Sequence, residues 1–191
     1  DKYNYNRYCK TLWSKTDMSN LRLINESSGS SLSSYSVQDV FTSDFDIYQI
    51  EITEFQQTVT FTGGIRFINS SGSVISSSNY DWARHSLRSY GSFIDDKDTS
   101  DTDIQYIVGA STPSPLSSTG ASIWVFNPTN NNAYTFMMFQ NVNWLVGSSG
   151  FAGSKAIGVL KSTDSITGFN IYSTGTMGSI ATKHYGLRVD S

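Results

Sequence analysis

The sequence predicts an all-β fold, an antiparallel β-sandwich of jelly-roll-like character with about nine or ten strands. Three observations lead there. Apolar residues recur two apart in short segments from Asn20 onward, the period of half-buried strands. Clusters of Ser, Gly, Asn and Pro separate those segments and supply turn chemistry. Aromatics reach 14% while charged residues are held to 15%, a composition that suits a pleated sheet better than helices.

Leu21 and Leu23 open the series of strands. Tyr48, Ile50 and Ile52 share a covered face in "VFTSDFDIYQIEI", with Gln49 and Glu51 on the other face and Glu51 expected in solvent. Val59 and Phe61 follow, then Ile65 and Phe67. "DIQYIV" alternates Ile104, Tyr106 and Val108, whereas "ASIWVF" is apolar on both faces and predicts a central strand covered on each side. "YTFMMF" and "AIGVL" continue the pattern. "GFNIY" and "HYGLRV" are expected as the last two strands, with "STGTMGS" as a turn between them. "NSSGS", "TPSPLSSTG" and "NPTNNN" read as further turns. A helix is credible only in "NYDWARHSLRSY", where Trp82, His85, Leu87 and Tyr90 are too loosely spaced for an apolar stripe.

The chain divides into an aromatic, basic arm over residues 1–19 and a sandwich domain over 20–191. With 191 residues, a domain of this size buries roughly 70% of its unfolded surface and needs no metal or disulfide staple. The net charge of −3 does not suit a phosphate backbone, so no nucleic-acid partner is expected. The single Cys9 excludes an intrachain disulfide framework and fits a reduced site of synthesis. No apolar run is long enough for a membrane helix, and "DKYNYNRYCKTLW" lacks the apolar core of a signal peptide.

The sequence offers little to catalysis. His85 and His184 are its two histidines, and neither stands at a spacing that activates a nucleophile. "GSSGFAGS" lacks the lysine of a phosphate-binding loop and reads as a turn. Asp95, Asp96, Asp98, Asp101 and Asp103 in "DDKDTSDTD" offer hard oxygen ligands to calcium, but without the glycine and glutamate of an EF-hand they read as a solvated loop. No catalytic residue, metal or cofactor is expected. Two groups of side chains are candidates for binding. Tyr3, Tyr5, Tyr8 and Trp13 on the arm alternate with basic residues and are expected to dock between subunits or on a neighbouring protein. Tyr80, Trp82 and Tyr90 would stack on a sugar if exposed, and fill the end of the sandwich if not.

Four stretches taken in order, "VFTSDFDIYQIEI", "IRFINSSGSVISSSNYDWA", "ASIWVFNPTNNNAYT" and "SITGFNIYSTGTMGSIATKHYGLRV", resemble a β-sandwich module of tailed-bacteriophage virion proteins, of the kind carried by phages of marine bacteria and cyanobacteria. Asp44, Phe45, Asp46 and Tyr48 match its early strand; Ile166, Phe169, Ile171, Tyr185, Gly186 and Leu187 match its closing segment. The resemblance implies a noncatalytic structural protein of the virion, made in the host cytoplasm: a capsid decoration or cement protein held by its arm. The alternative it leaves open is a head-fibre or tail-fibre module that binds a host-surface glycan or receptor. It further implies other virion proteins as partners and a homo-oligomer, with trimers suited to threefold lattice positions.

Overall fold

The computed structural model describes residues 20–58, 61–110, 119–145 and 150–188. Ten strands account for most of them: β1 (Leu21–Val37), β2 (Ile47–Gln57), β3 (Phe61–Asn69), β4 (Tyr80–Arg88), β5 (Ile94–Asp101), β6 (Ile104–Ala110), β7 (Gly120–Phe126), β8 (Thr135–Leu145), β9 (Gly150–Leu160) and β10 (Ile166–Leu187). Among the described residues there is no helix, so the fold is all-β. Its strands join in one antiparallel sheet, ordered β5-β4-β9-β8-β7-β2-β10-β3-β6 with β1 also on β10, and the sheet is nearly barrel-shaped.

The long strands explain the curl. β10 takes β1 along one side for its whole length, but on the other side it pairs first with β3 (Phe169 with Phe67) and then with β2 (His184 with Ile50). The change of partner falls between Tyr172, opposite Gly64, and Met177, opposite Gln57. Register shifts at Leu32/Ser34 in β1 and Met177/Ser179 in β10 bend both strands near this corner, which is how one strand pairs with β3 and then with β2. "STGTMGS", expected as a turn, is therefore the bend inside a single strand, and "GFNIY" and "HYGLRV" are its two halves. Beyond the corner β6 returns against β8. Asn141 on β8 donates from Nδ2 to the carbonyls of Tyr106 (2.6 Å) and Ile107 (2.9 Å) on β6.

The core lies inside the curl of the sheet. Tyr48, Ile50 and Ile52 from β2, Ile65 and Phe67 from β3, Ile123 and Val125 from β7 and Phe169 and Ile171 from β10 are all buried in it, as their alternation predicts. Each fully buried Ile or Phe contributes about 1.5–3 kcal/mol. The "DIQYIV" alternation breaks: Tyr106 has a left-handed φ of 64°, so Ile107 and Val108 are both buried while Tyr106 turns its ring to Trp82 and Arg84. "NYDWARHSLRSY" is strand β4 with its flanks, and the acidic run forms β5 and the corner after it. β5 is an edge, and its Asp95, Asp96, Lys97 and Asp98 are the charges that keep an open edge from pairing further. "NSSGS" and "NPTNNN" follow turn chemistry: Asn69 Oδ1 accepts from the amides of Ser71 and Ser73, Gly72 takes φ +79°, and Asn127 takes φ 55°, whereas the described part of "GSSGFAGS", expected as a turn, is the start of β9.

Candidate functional site

The arm residues Tyr3, Tyr5, Tyr8 and Trp13 lie outside the described residues. The second predicted group is not assembled as a platform. Tyr80 is fully buried; its hydroxyl accepts from Phe67 N (3.0 Å) and donates to Ile75 O (2.9 Å), and burial pushes the phenol pKa upward. Trp82 is 6% exposed, with its indole N–H on Asp101 Oδ2 at 3.0 Å. Both rings point inward from β4, so neither offers a face to a sugar, which corrects that expectation. Tyr90 lies past the end of β4 and is half-buried over Gly150, where a Cβ would come within 2.4 Å of its ring.

The titratable groups are dispersed. His85 Nδ1 meets Asp95 Oδ1 at 2.5 Å, but the carboxylate is 86% exposed and the pair is solvated. Asp96 bonds Arg84, Asp98 accepts from the Thr99 amide, Asp101 holds Trp82 and Gln105, and Asp103 faces Arg66 and Tyr172. Among the described residues, no three His, Cys, Asp or Glu side chains gather as a metal site. His184 is a core histidine, 1% exposed, with Nε2 2.8 Å from Thr182 Oγ1 and the ring edge-on to Phe169; desolvation drives its pKa down to about 4. Glu51 does not stand free in water. It is half-buried and accepts from Gln49 Nε2 and from Ser122 Oγ on the neighbouring strand. Asp44 receives a bond from Thr42 Oγ1 at 3.2 Å, and its own amide donates back to that oxygen, so the hydroxyl, not the carboxylate, makes the turn.

A feature that the sequence reading missed dominates the outer surface. Most of the large apolar side chains left exposed stand on one outward face of β4, β9 and β8: Leu87 (51%), Phe136 (49%), Val142 (66%), Trp144 (42%), Phe151 (60%) and Ile157 (64%). Strand registry arranges them in rows. Trp124, Met138, Ile157 and Ala83 form one row across β7-β8-β9-β4, and Phe126, Phe136 and Val159 the next. All of these but Trp124 line a depression of about 530 Å³, together with Asp81 on β4 and Lys97, Asp98 and Thr99 on β5. A polar row of Ser122, Gln140, Lys155 and His85 crosses the middle of the same strands. Beyond it, Val142 and Leu87 flank Gly153, and Trp144 pairs with Phe151. With aromatic side chains at roughly 150–250 Å² each, half-exposed ones leave on the order of 100 Å² apiece, so the face presents on the order of 600 Å² of apolar surface. Summed over the two ends that the polar row divides, that matches the upper end of the largest patch of a typical monomer, about 300–600 Å².

Comparisons with known protein families, with curated proteins and with solved structures gave no match.

The signal for this face was in the sequence. "ASIWVF" is apolar on both faces, and a covering layer on each side was the natural expectation. The inner sides are covered; Trp124 and Phe126 remain half-buried on the outer side, and Phe136 is open.

Proposed function

We propose that this chain is a noncatalytic structural protein of a tailed-bacteriophage virion, a surface decoration or cement module. Its curled sheet around one core is compatible with a jelly-roll-like sandwich. The observation that carries a structural role is the apolar outer face of β7-β8-β9-β4, whose exposed Phe136, Trp144, Phe151 and Ile157 mark a surface made to be covered by protein. The virion setting comes from the sequence resemblance, whose two best-matched segments meet in the fold: Phe45 and Tyr48 pack at Gly186. Binding only the assembled shell would stabilise the particle by linkage. Particles carrying the protein should rupture at a higher temperature than particles without it, and imaging should place many copies on the shell. Unchanged rupture temperature, or a few copies at the tail, would overturn the decoration role.

A further inference from the structure

We infer that the apolar outer face is a homotypic interface on which a second copy of this chain packs, sheet face to sheet face, as an isologous dimer. The inference rests on reading that face as an assembly surface. Area is the first argument: on the order of 600 Å² of apolar surface, widened by the polar row, approaches the roughly 800 Å² per partner of a standard protein interface.

The arrangement of the rows is the second. The depression floored by Phe136, Met138 and Ile157 and the exposed pair Trp144–Phe151 occupy opposite ends of the same strands, with the Gln140–Lys155 row between them. A two-fold axis crossing the strands along that row exchanges the two ends. It seats the Trp144–Phe151 end of each copy on the other's depression, and it lays polar row against polar row. A face with this symmetry is complementary to itself, as a two-fold contact requires. Because this axis sets each residue of the row against its own copy, the two Lys155 side chains approach one another, so the row opposes the dimer and the apolar ends must carry it.

The test uses the full chain and light scattering coupled to size-exclusion chromatography, at roughly 50 μM, where an interface of this size should be populated. The wild type is expected to run as a dimer. Ile157→Lys in the depression and Phe151→Lys at the opposite apolar end should each weaken the dimer by at least about 100-fold, since each buries an unpaired charge. Leu23→Lys, which alters a residue 52% exposed on β1, should leave it intact. Circular dichroism and melting curves of the variants confirm folding, and all three side chains already face solvent in the monomer. A dimer that survives both face substitutions, or that dissociates equally with Leu23→Lys, would overturn the proposal. So would a monomeric wild type, including one whose face is masked by residues 1–19 and exposed to an apolar dye on their deletion. A monomeric wild type that still raises the particle's rupture temperature would remove the dimer and leave the decoration role standing.

Discussion

Phe45 lies over Gly186, filling the space where a side chain would stand: a Cβ at 186 would come within 2.4 Å of the Phe45 ring. Gly186 pairs with Tyr48, and Phe45 meets the Tyr48 ring edge-on at 5.9 Å. Tyr48 in turn ties the preceding loop, its oxygen accepting from the Thr42 amide at 2.7 Å and donating to the Thr42 carbonyl. Two sequence segments about 140 residues apart thus close the same end of the core.

Gly186→Ala should therefore destabilise the fold by about 1–3 kcal/mol, the usual cost of forcing a methyl group into a filled space. Because Phe45 is the obstacle, Phe45→Leu combined with Gly186→Ala should cost less than the two single changes added together. Urea denaturation of the four proteins measures the coupling. Strict additivity would mean that the backbone, and not the ring, is what rejects the methyl group.

His184 gives the stability a pH dependence whose sign follows from its burial. Its pKa falls from 6.5 to about 4 on folding through desolvation, so between those values the unfolded chain binds a proton that the native state does not. Stability is then full above about pH 6.5 and declines as the pH falls to about 4, by at most about 3 kcal/mol. His184→Leu should flatten this part of the profile, whatever it does to stability at neutral pH. Denaturation midpoints at pH 7, 5.5 and 4 decide it: equal losses in both proteins would clear His184 of the effect.

The sequence made the inner face of the sheet legible and left much of the rest dark, for physical reasons. A period of two places Ile50, Ile65 and Phe169 inside without reference to topology, because alternation is a property of one strand. Gly175 and Gly178 look like turn residues, yet β10 passes through both without a left-handed φ, so composition alone does not tell a bend inside a strand from a turn. Tyr106 defeats alternation because a left-handed bulge leaves no trace in residue type. Trp82 and Tyr90, read as one cluster, part because one lies within a strand and the other beyond its end. The outer apolar face stayed hidden for a different reason: a strand apolar on both sides declares that both will be covered, and not by what.

Arg66 should prove a conditional stabiliser. Its Nη2 lies 3.6 Å from Asp103 Oδ2 and its guanidinium sits 4.0 Å from the Tyr172 ring, while Tyr172 also donates to Asp103. Asp103 is 2% exposed and its Oδ1 has no hydrogen-bond partner, so burial raises its pKa while Tyr172 and Arg66 pull it down. Arg66→Ala removes the counter-charge and should cost about 2–3 kcal/mol at pH 7, below the 3–5 of a fully buried pair because Arg66 is partly exposed. A carboxyl whose pKa is raised on folding loses stability as the pH rises through that pKa, so the penalty should shrink at pH 4. A penalty independent of pH would assign the loss to the stacking on Tyr172 and the Arg66 Nε bond to the Thr102 carbonyl instead.

Asn141 should control how firmly β6 is held against β8. Its Nδ2 supplies the Tyr106 and Ile107 carbonyls, and its Oδ1 accepts from the Ser154 amide at 2.9 Å, so one side chain that is 6% exposed satisfies backbone groups on two strands. Asn141→Leu keeps the volume and removes these partners, leaving buried carbonyls and an amide unpaired at about 1–3 kcal/mol each. Hydrogen exchange should then speed up at Ile107 and Val108 well before global unfolding, while the β7 and β8 amides away from residue 141 keep their protection. Uniform acceleration across the sheet would mean that β6 is no separate unit and that the closure is held by the packing of Ile104, Ile107 and Val108 alone.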